Sequence, residues 1–202
     1  MEEYDELIPH PDKAGCLDLT HRSWVELDSV LWTFSKELLV LNIAFNNIER
    51  LPPELGHLTL LRDLNCSCNK LSSLPAEIGK CTRLRTLKAN GNRLTEIPQT
   101  LAQCVLLDTL VLSENKLRGV PAALGSLQGL RVVRLGNNDL NYLPHQIGTM
   151  PSLEELDCQG NARLDMVPAP FRGERAGACA HRGDLAQCAA RDMDAEHETL
   201  DK

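Results

Sequence analysis

Cys66 and Cys68 stand one residue apart in the run LRDLNCSCNKLSSLP, residues 61–75, and Cys81 follows not far downstream. Neighbouring thiols are what a zinc site or a redox pair would use, because the thiolate is both metal ligand and nucleophile. A second group, Cys179, His181, Cys188 and His197, lies near the C-terminal end. Its spacing fits none of the familiar finger patterns, and tetrahedral zinc needs four convergent ligands. The other histidines, His10, His21, His57 and His145, are scattered. No G-x-S-x-G elbow, Gly-rich phosphate loop or H-E-x-x-H pair occurs, and no acids are paired at a catalytic spacing. Whether the cysteines do chemistry depends on where a larger pattern puts them.

That pattern is a repeat of 23 residues. The first leucine of each unit falls at Leu38, Leu61, Leu84, Leu107, Leu130 and Leu153. Eight residues later stand Asn46, Asn69, Asn92, Asn115, Asn138 and Asn161. An apolar-proline pair follows at Leu51-Pro52, Leu74-Pro75, Ile97-Pro98, Val120-Pro121 and Leu143-Pro144. The sixth, Val167-Pro168, arrives one residue late. Six phased copies decide the architecture, because a missed repeat misassigns the whole fold.

Each unit reads LxxLxLxxNxLxxLPxxLGxxxx. The alternating piece, such as Leu110-Val111-Leu112, has the two-residue period of a short strand with one buried face. The asparagine amide both donates and accepts, so it can satisfy backbone groups where the chain turns inward. Proline suits the first position of a short helical turn. Gly56, Gly79, Gly125 and Gly148 are expected to end that turn, with Ala102 in the same place in the third unit. One unit buries too little to fold alone, so the units stack and stability becomes a sum over units and their interfaces.

These features resemble the leucine-rich-repeat proteins, in particular the 23-residue LPxxLG subclass seen in Ras-pathway scaffolds and Ras-suppressor-like proteins. The resemblance covers residues 38–168 and implies an α/β leucine-rich-repeat solenoid. It would be curved, with parallel strands on the concave face and short helical or 3-10 turns on the convex side. Four segments are expected: an acidic N-terminal segment (1–15), an N-terminal cap half-repeat (16–37), a six-unit repeat domain (38–171) and an irregular or disordered tail (172–202). In the cap, Leu17 and Leu19 mimic the strand, Asp28 caps a helix running through Lys36, and Trp24 and Trp32 cover the open end of the leucine stack. Phe171 would close the last unit.

Phase then assigns the cysteines. Cys66 and Cys158 occupy the slot of Ile43, Ala89, Leu112 and Leu135, while Cys81 and Cys104 occupy that of Leu58, Leu127 and Met150. All four are expected as inward-facing small hydrophobes. Cys68 shares its slot with Phe45, Gly91, Glu114, Asn137 and Gly160, at the rim of the concave face. One inward and one rim thiol do not clasp an ion, so no metal and no cofactor are expected, and no catalytic residues.

The same phasing maps an outer surface. One column holds Asn42, Asn65, Lys88, Val111, Arg134 and Asp157, beside a second of Ala44, Ser67, Asn90, Ser113, Gly136 and Gln159. Two more carry Leu39, Arg62, Arg85, Asp108, Arg131 and Glu154, and Val40, Asp63, Thr86, Thr109, Val132 and Glu155. Arg62, Arg85, Lys88, Arg131 and Arg134 make a basic band, and Glu154, Glu155 and Asp157 an acidic end. Arg62, Asn65, Arg85, Lys88, Val111, Arg131, Arg134 and Asp157 are the candidate partner-binding residues.

The formal charge is −7 over 202 residues, with 43% hydrophobic but only 3% aromatic residues. Residues 38–168 carry twelve acids against thirteen bases, so the negative charge sits at the ends. No general nucleic-acid affinity is expected without a basic face and stacking aromatics. No run of about 18 apolar residues suggests a membrane span. Eight cysteines without a secretory leader point to reduced thiols and a cytoplasmic protein. The function expected is a non-catalytic protein-interaction module, a scaffold or adaptor in intracellular signalling whose partner presents an acidic patch. By resemblance that partner would be a small GTPase, its effector or a phosphatase. A sensor or regulatory fragment of a larger receptor or enzyme is the alternative.

Overall fold

In the computed structural model of this chain, residues 8–164 and the backbone of residues 179–181 are described. The expectations for Val167-Pro168, Phe171 and the side chains of Cys179, His181, Cys188 and His197 lie outside them.

Seven three-residue strands lie side by side and parallel: β1 (Cys16–Asp18), β2 (Val40–Asn42), β3 (Asp63–Asn65), β4 (Thr86–Lys88), β5 (Thr109–Val111), β6 (Val132–Arg134) and β7 (Glu155–Asp157). The middle residue of each faces inward, and the register pairs Leu41, Leu64, Leu87, Leu110, Val133 and Leu156 in one row. That row follows directly from the 23-residue period. Within the expected irregular tail, β8 (Cys179–His181) adds to β7 antiparallel. At the opposite edge, the Asp12 side chain accepts hydrogen bonds from the Ala14 and Cys16 N–H groups, both at 2.8 Å. The first strand therefore does not present a bare row of donors.

The returning side is built of 3-10 helices: η1 (Ser29–Lys36), η2 (Pro53–His57), η3 (Ala76–Lys80), η4 (Gln99–Gln103) and η5 (Ala122–Ser126), with one α turn, α1 (His145–Gly148). Asp28 caps η1 by accepting from the Val30 N–H at 2.9 Å. Trp24 and Trp32 pack, partly buried, against the leucine core. The repeat prolines sit one place earlier than expected, at the cap position in extended conformation. Each lends its carbonyl to the third residue on, as in Leu101 N–H to Pro98 at 3.0 Å. A residue without an N–H loses nothing there.

The turn glycines serve a different purpose from the one expected. Gly56 and Gly79 lie inside their 3-10 helices, and neither has the left-handed backbone of a C-cap glycine. A Cβ at Gly56 would come 2.9 Å from Glu77 Cβ, and one at Gly79 would come 2.9 Å from Thr100 Cβ. The missing side chain lets one coil rest on the next. Gly79→Ala, which elsewhere in a helix gains about 1 kcal/mol, is therefore expected to cost about 1–3 kcal/mol through overpacking. A urea titration of the two proteins reads the sign.

Candidate protein-docking face

The strand register brings the expected outer column together: Asn42, Asn65, Lys88, Val111, Arg134 and Asp157 are successive partners across the sheet. Arg62 and Arg85, just before β3 and β4, are exposed beside it, as are Lys88, Arg131 and Arg134. Asn65, Val111 and Asp157 are half-buried. The neighbouring column is partly sealed: Ala44, Ser67 and Gly136 are buried, and Ser67 Oγ donates to Asn90 Oδ1 at 2.7 Å.

The band of cations divides in two. Arg131 makes a bidentate pair with Glu154, at 3.0 Å from Nε and 2.8 Å from the terminal nitrogen, with Asp108 at 3.8 Å on its other side. The Glu154 hydrogen bond raises the Arg131 pKa above its ordinary value. Arg134 pairs with Glu155 at 2.6 and 3.3 Å. The acidic end of the solenoid thus reaches back one unit and neutralises two of the five cations. Among the described residues, Arg62, Arg85 and Lys88 have no ion-pair partner. The net positive field of the face lies over the second and third units.

Beneath the face, the asparagine row holds the coils in place. Asn92 accepts the Leu71 N–H at 3.0 Å and donates to the carbonyls of Cys66 at 3.0 Å and Ala89 at 3.1 Å. Asn69, Asn115 and Asn138 repeat this scheme, bonding the N–H of Ile48, Leu94 and Leu117. Asn161 bonds that of Leu140, and Asn46 takes those of Arg22 and Trp24. The carbonyls of Ile43, Cys66, Ala89, Leu112 and Leu135 are each shared by the asparagine of their own unit and that of the next, as Ala89 is by Asn92 and Asn115. No buried side-chain nitrogen or oxygen among the described residues is left without a partner.

The residue before each asparagine takes a backbone conformation that sequence reasoning missed. Phe45, Cys68, Glu114 and Asn137 have φ between 54° and 58°, and Gly91 and Gly160 have 66° and 77°. Left-handed backbone costs a non-glycine residue roughly 1–2 kcal/mol. Two glycines and an asparagine in one slot were the available signal. At Phe45 the side chain is lifted, exposed, onto the rim, and its ring stacks on His21 at 4.7 Å with an interplanar angle of 7°.

The cysteines are as the phasing placed them. Cys66, Cys81, Cys104 and Cys158 are buried and Cys68 is half-buried. The Cys66, Cys81 and Cys104 thiols point at carbonyls of an adjacent unit, those of Lys88, Leu55 and Ile78, at 3.4–3.5 Å. Burial pushes their pKa values up to about 12, 11 and 12. Among the described residues no group of three or more His, Cys, Asp or Glu side chains is arranged to hold a metal ion, and no helix is long and apolar enough to cross a membrane. His57 and His145 are exposed on the returning side, in η2 and α1.

The leucine-rich-repeat family pattern matches residues 36–94 and 105–162, more than half of the chain. The chain belongs to the leucine-rich-repeat family. Leucine-rich-repeat domains generally mediate protein–protein interaction and are typically not catalytic. Among solved structures, the leucine-rich-repeat domain of the type III effector XopL is similar, with 28% identity and a TM-score of 0.73 over 81% of this chain and 58% of that one. The leucine-rich-repeat ectodomain of the Arabidopsis thaliana receptor kinase GASSHO1/SCHENGEN3, solved with CASPARIAN STRIP INTEGRITY FACTOR 2, is 29% identical. It has a TM-score of 0.62 over 70% of this chain and 19% of that one. A leucine-rich-repeat protein of Leptospira interrogans shares the fold at 22% identity, with a TM-score of 0.63 over 84% of this chain and 58% of its own. The chain therefore spans little more than half the length of the XopL and Leptospira interrogans structures. No curated protein matches the chain.

Proposed function

We infer that this leucine-rich-repeat chain docks a protein partner on its concave face, through Arg62, Arg85 and Lys88, with Asn65 and Val111 on either side of Lys88. The supporting observation is the separation of charge. Arg131 and Arg134 are held by Glu154, Glu155 and Asp108, whereas the three earlier cations have no ion-pair partner among the described residues. Asp157 borders the internally paired end of the column. An acidic patch is the complementary surface, and such complementarity sets association rate and orientation more than bulk affinity. The reading is of a cytoplasmic scaffold or adaptor in intracellular signalling. The LPxxLG resemblance suggests a small GTPase, its effector or a phosphatase as the partner class.

A second reading, a sensor segment of a larger receptor or enzyme, draws on the likeness to a receptor-kinase ectodomain that the chain matches over 19% of its length. A transcript whose reading frame continues past Lys202 into a further domain would favour it.

Affinity capture from the native cell tests the first reading. The Arg85→Glu/Lys88→Glu protein is expected to lose the partners that the wild type retains, by tenfold or more. Arg118→Glu, an exposed substitution off the strands, is expected to keep them. Equal capture by all three proteins would mean the cations play no part.

A further inference from the structure

The rim beside the three uncompensated cations has a built shape. Phe45, Cys68, Gly91 and Glu114 follow one another along it, each with a backbone N–H bonded to the next unit: Ser67, Asn90, Ser113 and Gly136 carbonyls at 2.8–3.0 Å. Three steps of the usual strand spacing put Phe45 and Glu114 about 14 Å apart. Phe45 rises on one side, 53% exposed and held by its stack on His21. Between the walls the floor is low. Cys68 is half-buried with its Sγ leaning over Gly91, 3.2 Å from where a Cβ would be, and Gly91 has no side chain. An ordered aromatic ring beside a recess is the kind of feature that anchors an interface, since the ring loses little freedom on binding.

Lys88 lies three residues before Gly91 and Arg85 three before Lys88, so each step along the chain spans at most about 10 Å. An extended partner chain covers the same distance in three residues. Arg62 stands beside Arg85 in the adjacent unit. The acids nearest these groups are Asp108, whose N–H bonds the Arg85 carbonyl at 2.8 Å and whose carboxylate faces Arg131, the half-buried Asp63, one strand over from Thr86, and Glu114 on the far wall.

We propose that the Phe45–Glu114 notch, with Lys88, Arg85 and Arg62, receives an extended acidic segment of a partner protein. One aromatic or branched aliphatic side chain fills the recess over Cys68 and Gly91 and reaches toward Phe45, and carboxylates three and six residues from it in the partner's chain meet Lys88 and Arg85. This rests on the concave face being the docking face, and adds to it an anchor and a spacing. The fifth and sixth units are not used, because Arg131 and Arg134 already hold Glu154, Glu155 and Asp108.

A displayed library of random twelve-residue peptides, selected on the immobilised full chain, provides the probe. Enriched peptides are resynthesised with fluorescein and titrated by anisotropy. Enrichment of the apolar-x-x-acidic-x-x-acidic spacing, in either direction, is expected. Phe45→Ala and Lys88→Glu should each weaken binding at least tenfold, and Arg118→Glu should leave it unchanged. Phe45 is exposed, so circular dichroism of Phe45→Ala should match the wild type. Enriched peptides without that spacing, or binding indifferent to Phe45→Ala, would overturn the notch. Loss on Arg85→Glu/Lys88→Glu alone would remove the notch and leave the docking face standing, while indifference to every variant would remove both. A dimer in sedimentation that Phe45→Ala abolishes would assign the notch to a second copy and refute the proposal.

Discussion

Asn92→Ala will lower the unfolding free energy by about 3 kcal/mol, the sum expected for an orphaned buried donor plus lost packing. Asn92 Oδ1 accepts the buried Leu71 N–H at 3.0 Å, and its amide joins the carbonyls of Cys66 and Ala89. The carbonyls keep one asparagine each, Asn69 and Asn115, so the orphaned N–H dominates the loss. Asn92→Asp retains the acceptor but aims a carboxylate oxygen at those two carbonyls, and should destabilise more than alanine does. Asn141→Ala, exposed and outside the row, should stay within about 0.5 kcal/mol of wild type. Urea unfolding followed by far-ultraviolet circular dichroism orders the three. Equal midpoints for Asn92→Ala and Asn141→Ala would deny the row its structural role.

Alkaline pH will destabilise the solenoid before it reaches the ordinary range of lysine. Burial raises the folded-state pKa of Cys66, Cys81 and Cys104 to about 12, 11 and 12, from a value of 9.0 for an unperturbed thiol. The unfolded chain therefore releases three protons that the folded chain keeps, and the folded state binds more protons above pH 9. Stability falls as pH rises in that case. The contribution is fully present below the unfolded pKa and is lost between about pH 9 and 11–12. At pH 10 each thiol accounts for about 1 kcal/mol, or roughly 3–4 kcal/mol for the three. Urea midpoints at pH 8, 9 and 10 measure the slope. Cys104→Ala should reduce it by about a third, and a slope that this substitution leaves untouched would mean the thiol is not buried as described.

The repeat made most of the scaffold legible from the sequence. A strict 23-residue period fixes which side chain faces the core, so the Leu41–Leu156 row and the outer Asn42–Asp157 column could both be read from it. The buried slots of Cys66, Cys81, Cys104 and Cys158 followed for the same reason. What escaped depends on more than phase. Arg131 and Arg134 read as part of a continuous basic band, but long side chains bend across unit boundaries to reach Glu154 and Glu155. The turn glycines read as caps, because a contact with Thr100 or Glu77 in the next coil leaves no mark within one unit. The left-handed slot was masked by Phe45, Cys68 and Glu114, residues that rarely adopt that backbone. Ala44, Ser67 and Gly136 read as an outer column, yet they lie where the chain already turns under the rim.

Backbone amide shifts, followed by two-dimensional NMR while a captured partner segment is titrated in, test the docking face most directly. The largest changes are expected at Arg62, Asn65, Arg85, Lys88 and Gly91, with little movement in η2 to η5. Shifts concentrated on those returning turns, with β3 and β4 silent, would contradict the account.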